Sequence, residues 1–146
     1  MSSNEPAYLE ILLVEDEKFH QTMARKYLDK GNVPHRVNLV QDGEEALDFL
    51  YRRGAHTTAP RPDLILLDLG LPKMGGDEVF KQINKDPDLK QIPVIVLTGS
   101  DPDLTSGKYS DIPQNCRFTK WMEMKDFTVL VKTVYDYKIK FSKKAA

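Results

Sequence analysis

The sequence has little cysteine, no excess of either charge and no long apolar run. Cys116 is the only cysteine, so the chain can form no internal disulfide and no metal site built from several cysteines. Its 21 lysines and arginines nearly balance its 22 aspartates and glutamates, which leaves no positive field to attract a nucleic acid. No apolar stretch approaches the roughly 20 residues of a bilayer span, and the N-terminus lacks the pattern of a signal peptide. We therefore expect a cytoplasmic protein that binds neither nucleic acid nor membrane.

The length and composition of the chain are those of one globular domain. With 146 residues, the chain is long enough to bury about 70% of its unfolded surface around a single core. Hydrophobic residues make up 40% and charged residues 29%, which argues against a disordered chain. We expect the domain to span residues 9–141, between an N-terminal extension of residues 1–8 and a solvated tail of residues 142–146.

Short apolar runs alternate with segments of helical period along the whole chain. The predicted strands cover residues 11–14, 36–40, 64–67, 94–97 and 117–119. The predicted helices cover residues 17–30, 44–53, 77–85, 104–109 and 124–141. Gly31 is expected to cap the first helix at its end, and Asp42 to cap the second at its start. Fully apolar strands that alternate with helices predict an α/β fold, in which helices cover both faces of a parallel sheet.

Polar side chains follow four of the predicted strands. Glu15 and Asp16 follow the first strand, Asp68 the third, Thr98 the fourth and Lys120 the fifth. Because the carboxyl ends of parallel strands meet at one end of the sheet, we expect these residues to converge there. Taken singly, each has an ordinary structural explanation, such as capping a turn or lying on the surface. Together, three clustered carboxylates favour a hard divalent cation, and Mg²⁺ also keeps water sites for a phosphate ligand.

At these residues the sequence resembles the receiver domain of two-component response regulators. The resemblance rests on four segments. They are residues 12–16, which end in the acidic pair Glu15-Asp16, residues 64–72 together with Gly75-Gly76, residues 94–99, and Thr119-Lys120. The spacings of 30 residues from Asp68 to Thr98 and of 22 from Thr98 to Lys120 agree with that family.

Three further segments narrow the resemblance. The proline-containing loop of residues 55–62, the Pro72-Lys73 turn and residues 86–89 are most similar to the stand-alone regulators of cyanobacterial-type bacterial phytochrome histidine kinases. This resemblance implies a sensor histidine kinase, of the phytochrome type, as the partner that supplies a phosphoryl group.

The resemblance implies a fold and a set of residue roles. The fold would be a flavodoxin-like (βα)5 sandwich with a five-stranded parallel sheet in the order 2-1-3-4-5. Asp68 would accept the phosphoryl group, with Thr98 and Lys120 contacting its oxygens. The backbone of Leu69 and Gly99 would also bind it, and Gly99, lacking a side chain, would leave room for it. Mg²⁺ would be held by the carboxylates of Glu15, Asp16 and Asp68 and the carbonyl of Gly70.

The predicted last helix carries two adjacent apolar stripes, although one is enough to cover the sheet. The second stripe predicts a partner surface, and we expect a symmetric homodimer through the fifth strand and this helix. Phosphorylation is expected to shift the populations of the conformations of the face formed by helix four, strand five and helix five. The residues assigned to the partner face are Arg117, Phe118, Trp121, Phe127, Val131, Val134, Tyr135, Tyr137 and Ile139.

Two positions depart from the family pattern. Arg117 stands where many receivers have an aromatic residue, and Trp121 stands where they have proline. A cis peptide bond before a residue other than proline costs about 2.5–4 kcal/mol, so we expect a trans bond between Lys120 and Trp121.

Three other functions stay open at this point. A phosphatase with an aspartate nucleophile would need a second acid two residues after Asp68, where Gly70 stands. An FMN carrier would need a phosphate-binding turn after the first strand, where residues 15–17 are acidic and would repel phosphate. The third possibility is a degenerate receiver that serves as an unphosphorylated scaffold. The presence of all five site residues argues against it.

Overall fold

The computed structural model describes residues 7–99, 112, 117–120 and 124–145, which form five strands and four helices. The strands are β1 (Leu9–Val14), β2 (His35–Val40), β3 (Leu64–Asp68), β4 (Val94–Thr98) and β5 (Arg117–Thr119). The helices are α1 (Lys18–Lys30), α2 (Gly43–Tyr51), α3 (Gly76–Lys85) and α4 (Met124–Ala145). Short 3-10 turns lie at Gly54–His56 and Leu89–Gln91. The helix predicted over residues 104–109 lies outside the described residues.

The strands form one parallel sheet in the order β2-β1-β3-β4-β5, which confirms the predicted flavodoxin-like fold. The central strands β1 and β3 are buried along their full length, as parallel strands covered on both faces must be. Asp68 pairs with Leu97 across β3 and β4, and Thr98 pairs with Thr119 across β4 and β5. This register brings the carboxyl ends of β3, β4 and β5 to one level.

Alternate residues of the central strands enter two separate apolar layers. Leu12, Ile65 and Val96 lie in the layer covered by α2 and α3. Leu13 and Leu66 lie in the layer covered by α1 and α4. This alternation is the two-residue period of a strand that is buried on both sides.

Helix starts and ends follow the local sequence. The Asp42 side chain caps α2 by accepting a hydrogen bond from the Glu45 backbone N–H at 2.8 Å, and the Glu45 carboxylate accepts one from the Gln41 N–H at 3.0 Å. Gly31 caps α1, as predicted, with its N–H bonded to Leu28 O at 3.2 Å. The described part of the chain includes no helix that is both long and apolar enough to cross a membrane.

The C-terminal helix corrects two predictions. Phe127 and Val131, which were assigned to the partner face, are each only 3% exposed and belong to the core, where Phe127 meets the Tyr27 ring edge-on at 6.0 Å. Among the α4 residues whose side chains are described, 126–140, the large apolar residues that are exposed are Val129 and Tyr137, at 59% and 63%. The helix also continues to Ala145, four residues beyond its predicted end at residue 141. Lysine and alanine favour helix, and lysine is favourable near a helix C-terminus.

Candidate functional site

Four strand ends place polar side chains at the carboxyl end of the sheet. Glu15 directly follows β1, Asp68 ends β3, Thr98 ends β4 and Lys120 directly follows β5. Glu15, Asp68 and Thr98 are all buried, at 1%, 5% and 1% exposure. Carboxylate oxygens of Glu15, Asp16 and Asp68 lie within 4.8 Å of one another. The structure therefore brings the three predicted acidic residues into one cluster.

Lys120 reaches into this cluster and contacts two of its carboxylates. Its Nζ lies 2.6 Å from Glu15 Oε1 and 3.1 Å from Asp68 Oδ1, and its side chain is 5% exposed. The backbone N–H of Lys120 donates to Thr98 O at 2.7 Å, which continues the pairing of β4 and β5 by one residue. The backbone hydrogen bond fixes the position of the Lys120 main chain, and the two ion pairs fix the position of its ammonium group.

Glu15 also accepts a hydrogen bond from the loop between β1 and α1 and another from α1 itself. The Glu17 N–H donates to Glu15 Oε2 at 3.1 Å, and Gln21 Nε2 donates to the Glu15 carbonyl oxygen at 2.9 Å. Burial raises the pKa of Glu15 from 4.5 to about 7; the Lys120 hydrogen bond opposes this rise and the nearby Asp68 charge adds to it. The role of Gln21 was missed from the sequence, because a glutamine in the first turns of a helix carries no distinctive signal.

Asp16 contributes an oxygen that lacks a protein partner among the described residues. Its Oδ1 is buried and accepts no hydrogen bond there. A buried carboxylate oxygen is unfavourable without a donor or a cation. Three carboxylates arranged around such an atom are the hard oxygen ligands that Mg²⁺ prefers, so the residues present fit a divalent cation.

The backbone around Asp68 corrects one predicted contact. The Leu69 N–H, expected to bind the phosphoryl group, donates instead to Leu97 O at 3.0 Å within the sheet. The backbone N–H that reaches the carboxylate is that of Gly70, which donates to Asp68 Oδ1 at 3.0 Å. The pairing of β3 with β4 extends one residue past β3, and this extension takes the Leu69 donor away from the site.

Two glycines near the site differ in how tightly they are enclosed. A Cβ at Gly76 would lie 2.2 Å from the Asp68 carbonyl oxygen and 2.7 Å from Leu69 Cα, so only glycine fits beneath the end of β3. A Cβ at Gly99 meets no described atom within 4 Å. The described neighbours therefore require a missing side chain at Gly76, and the room that Gly99 would leave for a phosphoryl group stays a prediction.

Two residues of the predicted partner face lie on β5 itself. Arg117 and Phe118 are half-buried there, and Phe118 packs against the layer that contains α1 and α4. Trp121, and with it the predicted trans bond after Lys120, lies outside the described residues.

The fold, the acidic cluster and the buried lysine together define a receiver domain. The family model of the response regulator receiver domain matches residues 11–132, and the chain belongs to this family. Response regulator Rcp1 of Synechocystis sp. (strain ATCC 27184 / PCC 6803 / Kazusa) is 40% identical over 128 residues, which cover 87% of this chain and 86% of Rcp1.

Two solved structures agree with this assignment. The phosphorylated cyanobacterial phytochrome response regulator RcpA is 41% identical, with a TM-score of 0.71 over 90% of this chain and 94% of that chain. The Mn(2+)-bound form of Rcp1 is 39% identical, with a TM-score of 0.70 over 86% of this chain and 91% of that chain. The predicted similarity to phytochrome response regulators is confirmed.

Proposed function

We propose that this receiver accepts a phosphoryl group on Asp68 in a Mg²⁺-dependent reaction. The observation that carries the proposal is the buried cluster in which Lys120 Nζ contacts both Glu15 and Asp68, beside the unpartnered Asp16 Oδ1. A cluster with more carboxylates than cations is suited to bind a divalent ion and, through it, a phosphoryl group.

The proposed Mg²⁺ ligands are Glu15, Asp16 and Asp68, together with the Gly70 carbonyl oxygen. The mutual approach of the carboxylates within 4.8 Å supports this set. The relative Rcp1 has been solved in a Mn(2+)-bound form, which supports a divalent-cation site in the family. When bound, the ion would neutralise charge on the transferring phosphoryl oxygens.

Asp68 is the proposed nucleophile. Its Oδ1 accepts a hydrogen bond from Gly70 N–H and forms an ion pair with Lys120, so Oδ2 is the oxygen that the described residues leave available for attack. Attack on a phosphohistidine forms a P–O bond to Asp68 and breaks the P–N bond, which returns the electron pair to the imidazole.

Around the new group, Lys120 and the Thr98 hydroxyl would bind phosphoryl oxygens, and the Gly99 N–H would contribute a further donor. Hydrolysis of the acyl phosphate by water would return Asp68 to its free form. The protein would thus catalyse its own phosphorylation and dephosphorylation without turning over an external substrate.

The proposed donor is a sensor histidine kinase of the phytochrome type. The similarity to Rcp1 and to RcpA, a cyanobacterial phytochrome response regulator, supports this partner. Phosphorylation would add up to about two negative charges beside Thr98 and Lys120 and shift the contacts of β5, α4 and the predicted helix at residues 104–109. A cytoplasmic location and the absence of nucleic-acid and membrane partners stay predictions from composition.

We also propose a homodimer through β5 and α4. With Phe127 and Val131 in the core, the exposed Val129 and Tyr137 become the apolar residues of α4 that a second copy would cover. Sedimentation velocity with and without phosphorylation tests this, because a monomer at high concentration in both states would contradict it. Tyr137→Glu is expected to shift the protein toward monomer.

The test of the phosphoryl acceptor is intact mass spectrometry after incubation with acetyl phosphate and Mg²⁺. The wild type should gain about 80 Da, and Asp68→Asn should gain nothing. Asp136→Asn is the matched control, since Asp136 lies on α4 in an exposed pair with Lys132 at 3.4 Å, and it should be labelled like the wild type. An unlabelled wild type would support the scaffold function instead.

A further inference from the structure

Arg117, at the start of β5, bonds a backbone carbonyl that lies five residues earlier in the chain. Its Nε donates to Ile112 O at 2.7 Å, and its Nη2 donates to the same oxygen. Ile112 is 2% exposed and belongs to the apolar layer that contains Val96 of β4. A guanidinium that gives two hydrogen bonds to one acceptor fixes the orientation of both groups. The start of β5 is therefore tied to a fixed point in the core.

β5 needs such a tie, because it is short and lies at the edge of the sheet. It has three residues, and among the described strands it pairs with β4, in the register Val96 with Arg117 and Thr98 with Thr119. A strand this short has few ladder hydrogen bonds with which to specify its register. A shift by one residue would carry every following side chain to the other face of the sheet.

The side chain that follows β5 is the site lysine. The Lys120 N–H donates to Thr98 O at 2.7 Å, so the position of its Cα depends on the register of the three residues before it. We propose that Arg117 is a positioning residue, which holds the register of β5 through the Ile112 carbonyl and thereby directs the Lys120 ammonium group to Glu15 and Asp68. Its part in phosphoryl transfer rests on the function proposed above, whereas its effect on cation binding rests only on the Mg²⁺ site of that proposal and not on phosphorylation.

Displacement of Lys120 should change Mg²⁺ affinity and the phosphorylation rate in a different way from general damage to the site. Lys120 Nζ contacts Glu15 Oε1 and Asp68 Oδ1, which belong to the carboxylates proposed to bind Mg²⁺. The lysine and the divalent cation therefore compete for the same negative charge. When Lys120 is misplaced, Mg²⁺ affinity should rise while the phosphorylation rate falls, whereas a disordered site would lose both.

The experiment measures Mg²⁺ affinity by calorimetry and the initial phosphorylation rate from acetyl phosphate by intact mass. Arg117→Ala should bind Mg²⁺ several-fold more tightly and be phosphorylated roughly tenfold more slowly, the scale typical of a residue that orients a metal-site side chain. Lys120→Ala sets the direction of both changes. Arg117→Lys should follow Arg117→Ala, because an ammonium group cannot make the two-pronged bond. Arg25→Ala is the matched control, since Arg25 is exposed on α1, and it should behave like the wild type.

Three results would overturn the proposal. The first is an Arg117→Ala protein that matches the wild type in both measurements. The second is wild-type behaviour of Arg117→Lys beside an altered Arg117→Ala, which would assign the effect to charge alone. The third is a joint fall of Mg²⁺ affinity and rate in Arg117→Lys, which would indicate damage to the site. If the wild type takes up no phosphoryl group, the proposed function fails, and the Mg²⁺ titrations still decide the role of Arg117.

Discussion

The two ends of the sheet can be compared through the lysine that each contains. At the carboxyl end, Lys120 Nζ lies 2.6 Å from Glu15 Oε1 and 3.1 Å from Asp68 Oδ1. At the amino end, Lys138 of α4 lies with its Nζ 2.7 Å from Asp63 Oδ2, just before β3, and donates to the Tyr8 carbonyl oxygen at 2.6 Å. Both lysines connect a C-terminal element of the chain to the central strands.

The two ends differ in the balance of their charges and in their exposure. Lys138 and Asp63 form a one-to-one pair, 30% and 25% exposed, and Asp63 Oδ2 also accepts a hydrogen bond from the Glu10 N–H at 2.8 Å. At the carboxyl end three carboxylates lie within 4.8 Å of one another, and one lysine contacts two of them. The side chains of these ion-paired residues are at most 7% exposed. A balanced, partly hydrated pair serves the structure, whereas a buried surplus of carboxylate is unfavourable until a cation binds.

Replacing each lysine by methionine is the strongest test of this difference. Lys120→Met should lower the free energy of unfolding by about 3 kcal/mol, because it leaves buried carboxylates facing one another. Lys138→Met should lower it by about 1 kcal/mol, because Asp63 stays accessible to water. Urea unfolding without divalent cations measures both, and equal losses would remove the distinction between the two ends.

Adding Mg²⁺ to the same two variants supplies the control. A ligand that binds only the folded state stabilises it by an amount that grows with the logarithm of the ligand concentration relative to its dissociation constant. Excess Mg²⁺ should therefore close most of the stability gap between Lys120→Met and the wild type, and leave the gap between Lys138→Met and the wild type unchanged. A Lys120→Met protein that does not respond to Mg²⁺ would contradict a cation site at the carboxyl end.

The carboxyl end could be predicted from the sequence because its residues directly follow recognisable strands. Each apolar run marks a buried strand, and the rule that ligand sites lie at the carboxyl ends of parallel strands brings Glu15, Asp68 and Lys120 together. The amino end could not be predicted in this way. Asp63 and Lys138 are 75 residues apart, and their pairing depends on where α4 crosses the sheet, which no local pattern records.

Two errors at finer detail have the same origin. Phe127 and Val131 belong to different apolar stripes of the helix, and which residues face the core depends on packing against Tyr27 of α1. The family resemblance implies a phosphoryl contact for the Leu69 backbone, whereas the ladder to Leu97 continues past β3 and takes the Leu69 N–H. Local patterns predict which elements form, and tertiary contacts decide which side chains and donors remain accessible.

The stability should depend on pH through Glu15 at the carboxyl end of the sheet. Burial raises the pKa of Glu15 from 4.5 in the unfolded chain to about 7, so folding favours its protonated form. The stability that this group contributes is complete below about pH 4.5 and is lost as the pH rises through about 7. Between about pH 5 and about pH 8 the loss should approach about 2 kcal/mol, once the screening by water that reaches the site is allowed for.

The variant Glu15→Gln isolates this effect from the titration of the histidines. Urea unfolding across the pH range should give a wild-type curve that falls relative to the Glu15→Gln curve as the pH rises. Two parallel curves would show that Glu15 titrates alike in the folded and unfolded chains. Excess Mg²⁺ should flatten the difference, because the ion binds the ionised carboxylate.

Exchanging one aspartate for asparagine at each end should give small changes of opposite sign. In the absence of Mg²⁺, Asp68→Asn should raise the free energy of unfolding by about 1 kcal/mol. The substitution removes the repulsion between Asp68 and two neighbouring carboxylates and only one attraction, to Lys120. Asp63→Asn should lower it by about 1 kcal/mol, because Lys138 loses its carboxylate partner. Excess Mg²⁺ should stabilise the wild type more than Asp68→Asn and so reverse the first difference, while leaving the second unchanged. If both substitutions destabilise the protein by similar amounts without Mg²⁺, the carboxyl end holds no surplus of negative charge.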